Sequence, residues 1–207
     1  GVQDGDWRRN SRGQSWFDGD PGQAALGQGS VPTPPLQLAT MTARIANGGR
    51  AVRPHLIVPD LPYPAEDLGF KPEHLEIVRR AMNRVTNTDE GTAYRYTQVE
   101  EPALQIAGKT GTAQVARLSV GERLRMLNDV RSLDYNRRNH ALFVGYGPLK
   151  RPRYACAVII EHGDSGGRSA GPVVLDLLQA AIVGNSGGQP NMGNDRYNLV
   201  GRTAEAR

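Results

Sequence analysis

The stretch that most restricts the fold is residues 140–161. There two β-rich runs, HALFVGYG (140–147) and RYACAVIIE (153–161), are separated by only PLKRP. So short a connection suits an antiparallel hairpin, because a parallel return needs a crossover of a dozen or more residues. The second run is apolar at successive positions, as expected of a central strand covered on each side. Helices must supply that cover, and 207 residues with 38% hydrophobic content suffice for one domain with a real core.

The helices are marked at their ends. In TPPLQLATMTARIANGG (33–49), Thr33 is placed to cap and Pro34 suits the first helical position. Leu38, Met41 and Ile45 fall on one face, and Asn47-Gly48-Gly49 supplies a left-handed stop. Pro72 announces a second helix with Leu75, Val78, Met82 and Val85 at spacings of three and four, ending near Asn87. GPVVLDLLQAAIV (171–183) gives a closing helix, with Val174, Leu177, Leu178 and Ala181 spaced to pack on a sheet. Residues 1–32 show no sustained period and read as irregular, and residues 184–207 read as a polar, disordered tail. The order predicts an α+β layer architecture, an antiparallel sheet covered by helices.

A third strand is predicted within LQIAGKTGTAQV (104–115), and it carries the chemistry. Alternation puts the hydroxyls of Thr110 and Thr112 on one face, while Gly111 leaves room for a ligand backbone beside the strand. Such a strand can bind a peptide by edge pairing. Lys109 supplies positive charge beside a carboxylate or a hydroxyl that must lose its proton, and the Thr112 N–H can help hold a developing oxyanion.

Other readings are weaker. HGDSGG (162–167) contains the pentapeptide that surrounds the nucleophilic serine of trypsin-like proteases, which would make Ser165 reactive. That mechanism needs a histidine base oriented by an aspartate, within two β-barrels, and His55, His74, His140 and His162 have no such context. A single cysteine also rules out that family's disulfides. Ser165 is expected in a turn over Gly163–Gly167, with Glu161 ending the strand, and Cys156 is expected as a small buried hydrophobe. The net charge of +4 rests on arginines, since Lys71, Lys109 and Lys150 are the only lysines. Arg8, Arg9 and Arg12, then Arg123, Arg125 and Arg131, then Arg137 and Arg138 are dispersed without interleaved aromatics, so solvated loops or attraction to an anionic cell-surface polymer are expected and nucleic acid is not. No stretch approaches the roughly 18 apolar residues of a membrane span.

Taken in order, WFDGDPGQAALGQGSVPTPPLQLATMTARIANGG, DEGTAYR, IAGKTGTAQV, HALFVGYGP and RPRYACAVIIEHG resemble the class B penicillin-binding proteins. These are the D,D-transpeptidases that cross-link peptidoglycan, here of the penicillin-binding protein 2 type that serves rod elongation. Lys-Thr-Gly is one of the signatures of that superfamily. The resemblance runs from about Trp7 to Val183 and implies the penicillin-binding, serine β-lactamase-like transpeptidase fold. It implies that Lys109 joins the cationic network of an active site. Thr110 and Thr112, flanking Gly111, bind a substrate or β-lactam carboxylate, and Thr112 N–H forms half of the oxyanion hole. The implied reaction is serine acyl transfer on stem peptides, with penicillins as acylating mimics and no cofactor or metal. Implied partners are a SEDS-type glycan polymerase and other elongation-complex proteins, in the periplasm of a bacterium, anchored to the inner membrane through a segment absent from this sequence.

Two family motifs are missing. The residues three before the lysines are Leu68, Ile106 and Gly147, so there is no Ser-x-x-Lys, and no serine has asparagine two positions later. Residues 1–183 are therefore expected to be the C-terminal half of a transpeptidase domain whose nucleophile lies outside this chain and which is inactive alone. A noncatalytic module binding cell-wall peptides or elongation proteins is the alternative.

Overall fold

The computed structural model describes residues 5–15, 17–25, 27, 33–57, 65–115, 119, 121–122, 124 and 133–184. The tail from 185 onward, most of the loop between Arg117 and Arg138, and the Gly-Gln-Gly turn beyond Gly27 lie outside the described residues. The elements are α1 (Gly5–Arg12), α2 (Asp20–Ala25), α3 (Pro35–Ala46), α4 (Pro72–Asn87), α5 (Tyr94–Thr97), β1 (Ala107–Ala113), β2 (His140–Gly147), β3 (Tyr154–Ile160) and α6 (Gly171–Gly184). A single turn of π-helix, Gly166–Ala170, precedes α6.

The described sheet is antiparallel in the order β1–β2–β3, with Ala107 opposite Tyr146, Ala113 opposite His140 and Ala141 opposite Ile160. Alternation divides the side chains of the sheet between two cores. On one face Phe143, with Cys156, Val158 and Ile160 beside it, packs against Val174, Leu175 and Leu178 of α6. On the other, Ala107 and Tyr146 meet Ala46 of α3 and Met82 of α4, with Val144 and Ala155 alongside. A fully buried aromatic such as Phe143 contributes roughly 1.5–3 kcal/mol by transfer from water. The result is the expected α+β architecture, helices on both faces of an antiparallel sheet.

The structure corrects several expectations. The central strand of the described sheet is β2, and β3 flanks it. The apolar run of β3 reflects helix cover on both faces, α6 on one side and α3 on the other, and cover does not require a strand partner on each edge. β3 stops at Ile160, so Glu161 already lies in the turn. In α3 the cap is Pro34, without a side-chain hydrogen bond, and Pro35 opens the helix. Its stop is as expected: Gly48 and Gly49 both have φ of 87°, and Gly49 N–H donates to Arg44 O at 2.8 Å. The buried stripes differ from the apolar ones. Thr42 and Ala46 are buried in α3 while Met41 is exposed, Thr86 is buried in α4 while Val78 is exposed, and Gly171, Val174, Leu175, Leu178 and Ile182 form the seam of α6 while Leu177 faces out. Among the described residues before α3 lie two short helices, α1 and α2, that periodicity does not show. Local polar contacts mark them: Arg9 pairs with Asp6 at 3.6 Å, and Asp20 accepts the Phe17 N–H at 2.9 Å.

Candidate functional site

The position of β1 is set at its entry. Thr86 Oγ1 and Asn87 Nδ2, at the end of α4, both donate to Ile106 O at 2.8 Å, so the helix terminus holds the strand through side chains. Next, an added Cβ on Gly108 would strike the Phe143 ring (2.6 Å to Cζ), so the bare α-carbon lets β1 lie flat on the core. The chain then leaves the core: Ala107 and Gly108 are buried, Lys109 is exposed, Thr110 and Gly111 are half-buried and Thr112 is exposed.

All four expected site residues thus sit on the outer strand, where the described sheet ends. The Lys109 Nζ donates to Thr110 O at 2.9 Å and to Thr110 Oγ1 at 3.2 Å, so the ammonium curls over the strand onto its neighbour. Thr110 Oγ1 also lies 3.4 Å from Thr92 Oγ1, just before α5. Thr110 thus joins the lysine to the Thr-Ala-Tyr-Arg segment. Thr92 was not singled out by its sequence, because a threonine in a turn carries no periodic signal.

Gly111 lies between two kinds of space. In the direction of its missing side chain an added Cβ would meet, among the described residues, Leu142 alone, at 3.2 Å to Cβ and 3.9 Å to O. Over its backbone sits Gly166, whose added Cβ would press on Leu142 O and lie 2.7 Å from Gly111 O and 3.0 Å from Gly111 N. These atoms belong to the rung pairing Gly111 with Leu142, so the Gly111 peptide groups face β2. Alternation then turns the N–H and C=O of Thr110 and Thr112 toward the outer edge. The arrangement offers, side by side, an ammonium, two threonine hydroxyls and edge amides, a set suited to a carboxylate and an extended backbone.

The Gly-Asp-Ser-Gly-Gly segment is arranged differently. Ser165 Oγ accepts the Arg168 N–H at 3.4 Å, and Ser165 O accepts the Ser169 N–H at 2.8 Å. His162 turns its ring the other way: Nδ1 donates to Arg138 O at 3.0 Å, and the ring packs on His140 and Tyr135 with centroids 4.9 and 4.8 Å apart. Among the described residues, no histidine side chain is hydrogen-bonded to Ser165. Burial pushes the Asp164 carboxyl up, while Arg168 and Arg138 pull it down.

Three further features belong to structure. Cys156 is half-buried on β3, and burial raises its thiol. In the basic loop, Arg137 donates to Glu122 at 2.6 Å, and the Ser119 N–H together with that guanidinium holds the Glu122 carboxyl down at about 2. A groove of about 510 Å³ opens between α4 and the β2–β3 turn, lined among others by Arg79, Arg80, Tyr146 and Lys150, but no residue of Lys109–Thr112 lines it.

Residues 6–179 match the model of the penicillin-binding protein transpeptidase domain. The chain is 35% identical over 175 residues to the peptidoglycan D,D-transpeptidase MrdA of Acinetobacter baumannii, covering 80% of this chain and 25% of that protein. It is 29% identical to the D,D-transpeptidase PbpA of Mycobacterium tuberculosis, covering 79% of this chain and 32% of that one. The structure resembles PBP2 of Helicobacter pylori, solved in a complex with MreC, with a TM-score of 0.69, 30% identity and coverage of 89% of this chain and 31% of that one. It also resembles PBP2 of Pseudomonas aeruginosa, solved with WCK 5153, with a TM-score of 0.66, 34% identity and coverage of 89% and 38%. The chain spans about a quarter to a third of the length of the curated relatives it matches. With an outer strand that carries Lys109-Thr110-Gly111-Thr112 on this three-layered frame, the chain belongs to the penicillin-binding protein transpeptidase family, in its class B, PBP2-type branch.

Proposed function

We propose that this chain supplies the substrate-binding strand of a serine-type D,D-transpeptidase that cross-links peptidoglycan stem peptides. The observation that carries the reading is the Lys109 ammonium held on Thr110 at the outer edge of β1. A stem peptide ending in a D-Ala-D-Ala carboxylate lies along that edge. Its carboxylate is met by Lys109 and the hydroxyls of Thr110 and Thr112, and Gly111 leaves its backbone room. The scissile carbonyl comes to the Thr112 N–H, which with a second donor stabilises the oxyanion as a serine from outside this chain attacks. D-Alanine leaves with the transferred proton, and the amine of a neighbouring stem peptide resolves the ester. A β-lactam fits the same edge and acylates the same serine.

In this reading the attacking serine is not among residues 1–207, and the enzyme works in the periplasm at the inner membrane, as its resemblance to the class B family implies. MreC, the partner of the Helicobacter relative, suggests elongation-complex proteins as partners here, with a SEDS-type polymerase among them. The test is labelled penicillin. The full-length protein is expected to be covalently labelled on a serine outside residues 1–207, and this chain alone is expected to remain unlabelled. A folded full-length protein that takes no label fails the reading and favours a noncatalytic wall-binding module.

A further inference from the structure

We infer that Gly166 and Gly167 are positioning residues for the binding strand: their bare backbone is the seat against which β1 holds Lys109–Thr112 in place. The inference rests on the transpeptidase reading for its consequence, and on packing for its substance.

The π turn is closed by its own hydrogen bonds. Ser169 N–H donates to Ser165 O at 2.8 Å, Ser169 Oγ to Gly163 O at 2.6 Å, and the Arg168 N–H to Ser165 Oγ at 3.4 Å. Its approach is pinned too. His162 and Asp164 hold left-handed backbone, with φ of 54° and 69°, while the His162 N–H donates to His140 Nδ1 and the Asp164 N–H to Asn139 O, both at 3.0 Å. A segment held at so many points behaves as a fixed surface.

That surface is pressed on the site. The Gly166 α-carbon sits on the Gly111–Leu142 rung, with backbone atoms, not yielding side-chain ends, in the way of a Cβ. An added Cβ on Gly167 would lie 2.8 Å from Thr92 O and 3.4 Å from Thr110 Cγ2, so a methyl there would press on Thr92 and reach Thr110, the two threonines of the 3.4 Å Oγ1 pair. Both glycines are buried, and neither has positive φ, so what they supply is room and not a special conformation. A methyl at Gly166 must displace β1 or the turn, and one at Gly167 must displace the turn or Thr92, whose hydroxyl lies against Thr110; a displacement of about 1 Å in a reacting site costs on the order of 10²-fold in rate. Gly163 provides the contrast. Its added Cβ would meet Ile160 Cγ2 at 2.8 Å and Ala141 Cβ at 3.0 Å, so its nearest neighbours lie on β2 and β3 and not on β1.

The test compares Gly166→Ala, Gly167→Ala and Gly163→Ala in the full-length protein by three measurements: thermal stability, the acylation rate at saturating labelled penicillin, and amide exchange of Thr110 and Thr112. Gly166→Ala and Gly167→Ala are expected to slow acylation at least tenfold more than Gly163→Ala at a comparable melting temperature and to change exchange at Thr110 and Thr112. Should Gly166→Ala fail to fold, Gly167→Ala carries the same comparison. Acylation at the wild-type rate, or a loss that follows melting temperature equally in all three, overturns the inference. If the wild-type protein takes no label, the transpeptidase reading has failed, and exchange decides alone: a change confined to Gly166→Ala and Gly167→Ala supports the seat, and no change overturns it.

Discussion

Lys109–Thr112 and Gly163–Gly167 are two short, glycine-bearing, hydroxyl-bearing segments of equal standing as letters. The structure gives them different surroundings. In the strand, polar groups lead outward: an ammonium, a hydroxyl pair and amides turned toward an edge. In the turn, polar groups are consumed within the fold, Ser165 by Arg168, Ser169 by Gly163 and His162 by Arg138 and His140. A reactive motif needs polar atoms that the fold has positioned but not used up. In the proposed function the first segment supplies such atoms from an outer strand, while the polar groups of the second bond within its own turn.

The largest effect is expected where both segments lean on one side chain. The Phe143 ring underlies Gly108 of β1 and comes within 3.6 Å of where a Cβ of Gly171 would stand, at the end of the π turn. Phe143→Ala should lose about 3–5 kcal/mol, the range for a buried aromatic truncated in a packed core. Urea unfolding measures it, and a loss under about 1.5 kcal/mol would mean that the two segments do not share this support.

Lys109→Ala separates function from stability. Because Lys109 is exposed and its bonds stay within its own strand, stability should move by no more than about 0.5 kcal/mol. Acylation of the full-length protein should fall by about 10²–10³-fold, the scale for removing one group that acts on developing charge. Retained acylation would remove the strand from the chemistry.

Ser165→Ala probes the other segment. It removes a cap-like bond of 3.4 Å and should cost no more than about 1 kcal/mol, with penicillin labelling unchanged. A covalent adduct on Ser165, or a tenfold loss of labelling on its removal, would erase the difference between the two segments.

Much of this frame is legible in the sequence where the cause is local. The short hairpin connection, Pro72 at the start of α4 and Asn47-Gly48-Gly49 at the end of α3 each act within a few residues, and each lies where expected. The errors in the buried stripes share a cause. Thr42, Thr86 and Gly171 occupy core positions that a count of apolar residues leaves empty, because the hydroxyls are satisfied by Leu38 O at 2.8 Å and Ile106 O at 2.8 Å, and the glycine permits close approach. α2 buries no residue, so it leaves no hydrophobic period to find. The four residues of the candidate site are legible because they are contiguous. Thr92 and the Gly166–Gly167 seat are not, because each acquires its role from a strand distant in sequence.

The smallest effect concerns how the turn tolerates charge. Asp164 sits in left-handed backbone, and burial raises its carboxyl against the pull of Arg168 and Arg138. A folded pKa above the unfolded one means that the native state holds the proton more tightly. Its stabilising share is therefore complete below the unfolded pKa and is lost as pH rises through the folded value. Asp164→Asn keeps the side chain's tolerance of positive φ and removes the titration. The variant should melt slightly above wild type at pH 7, with the difference closing as pH falls toward 3. Melting curves across that range decide it. A variant that melts lower at pH 7 would show that the two arginines outweigh burial, and that the turn retains an electrostatic use for Asp164 which its consumed polar groups otherwise deny it.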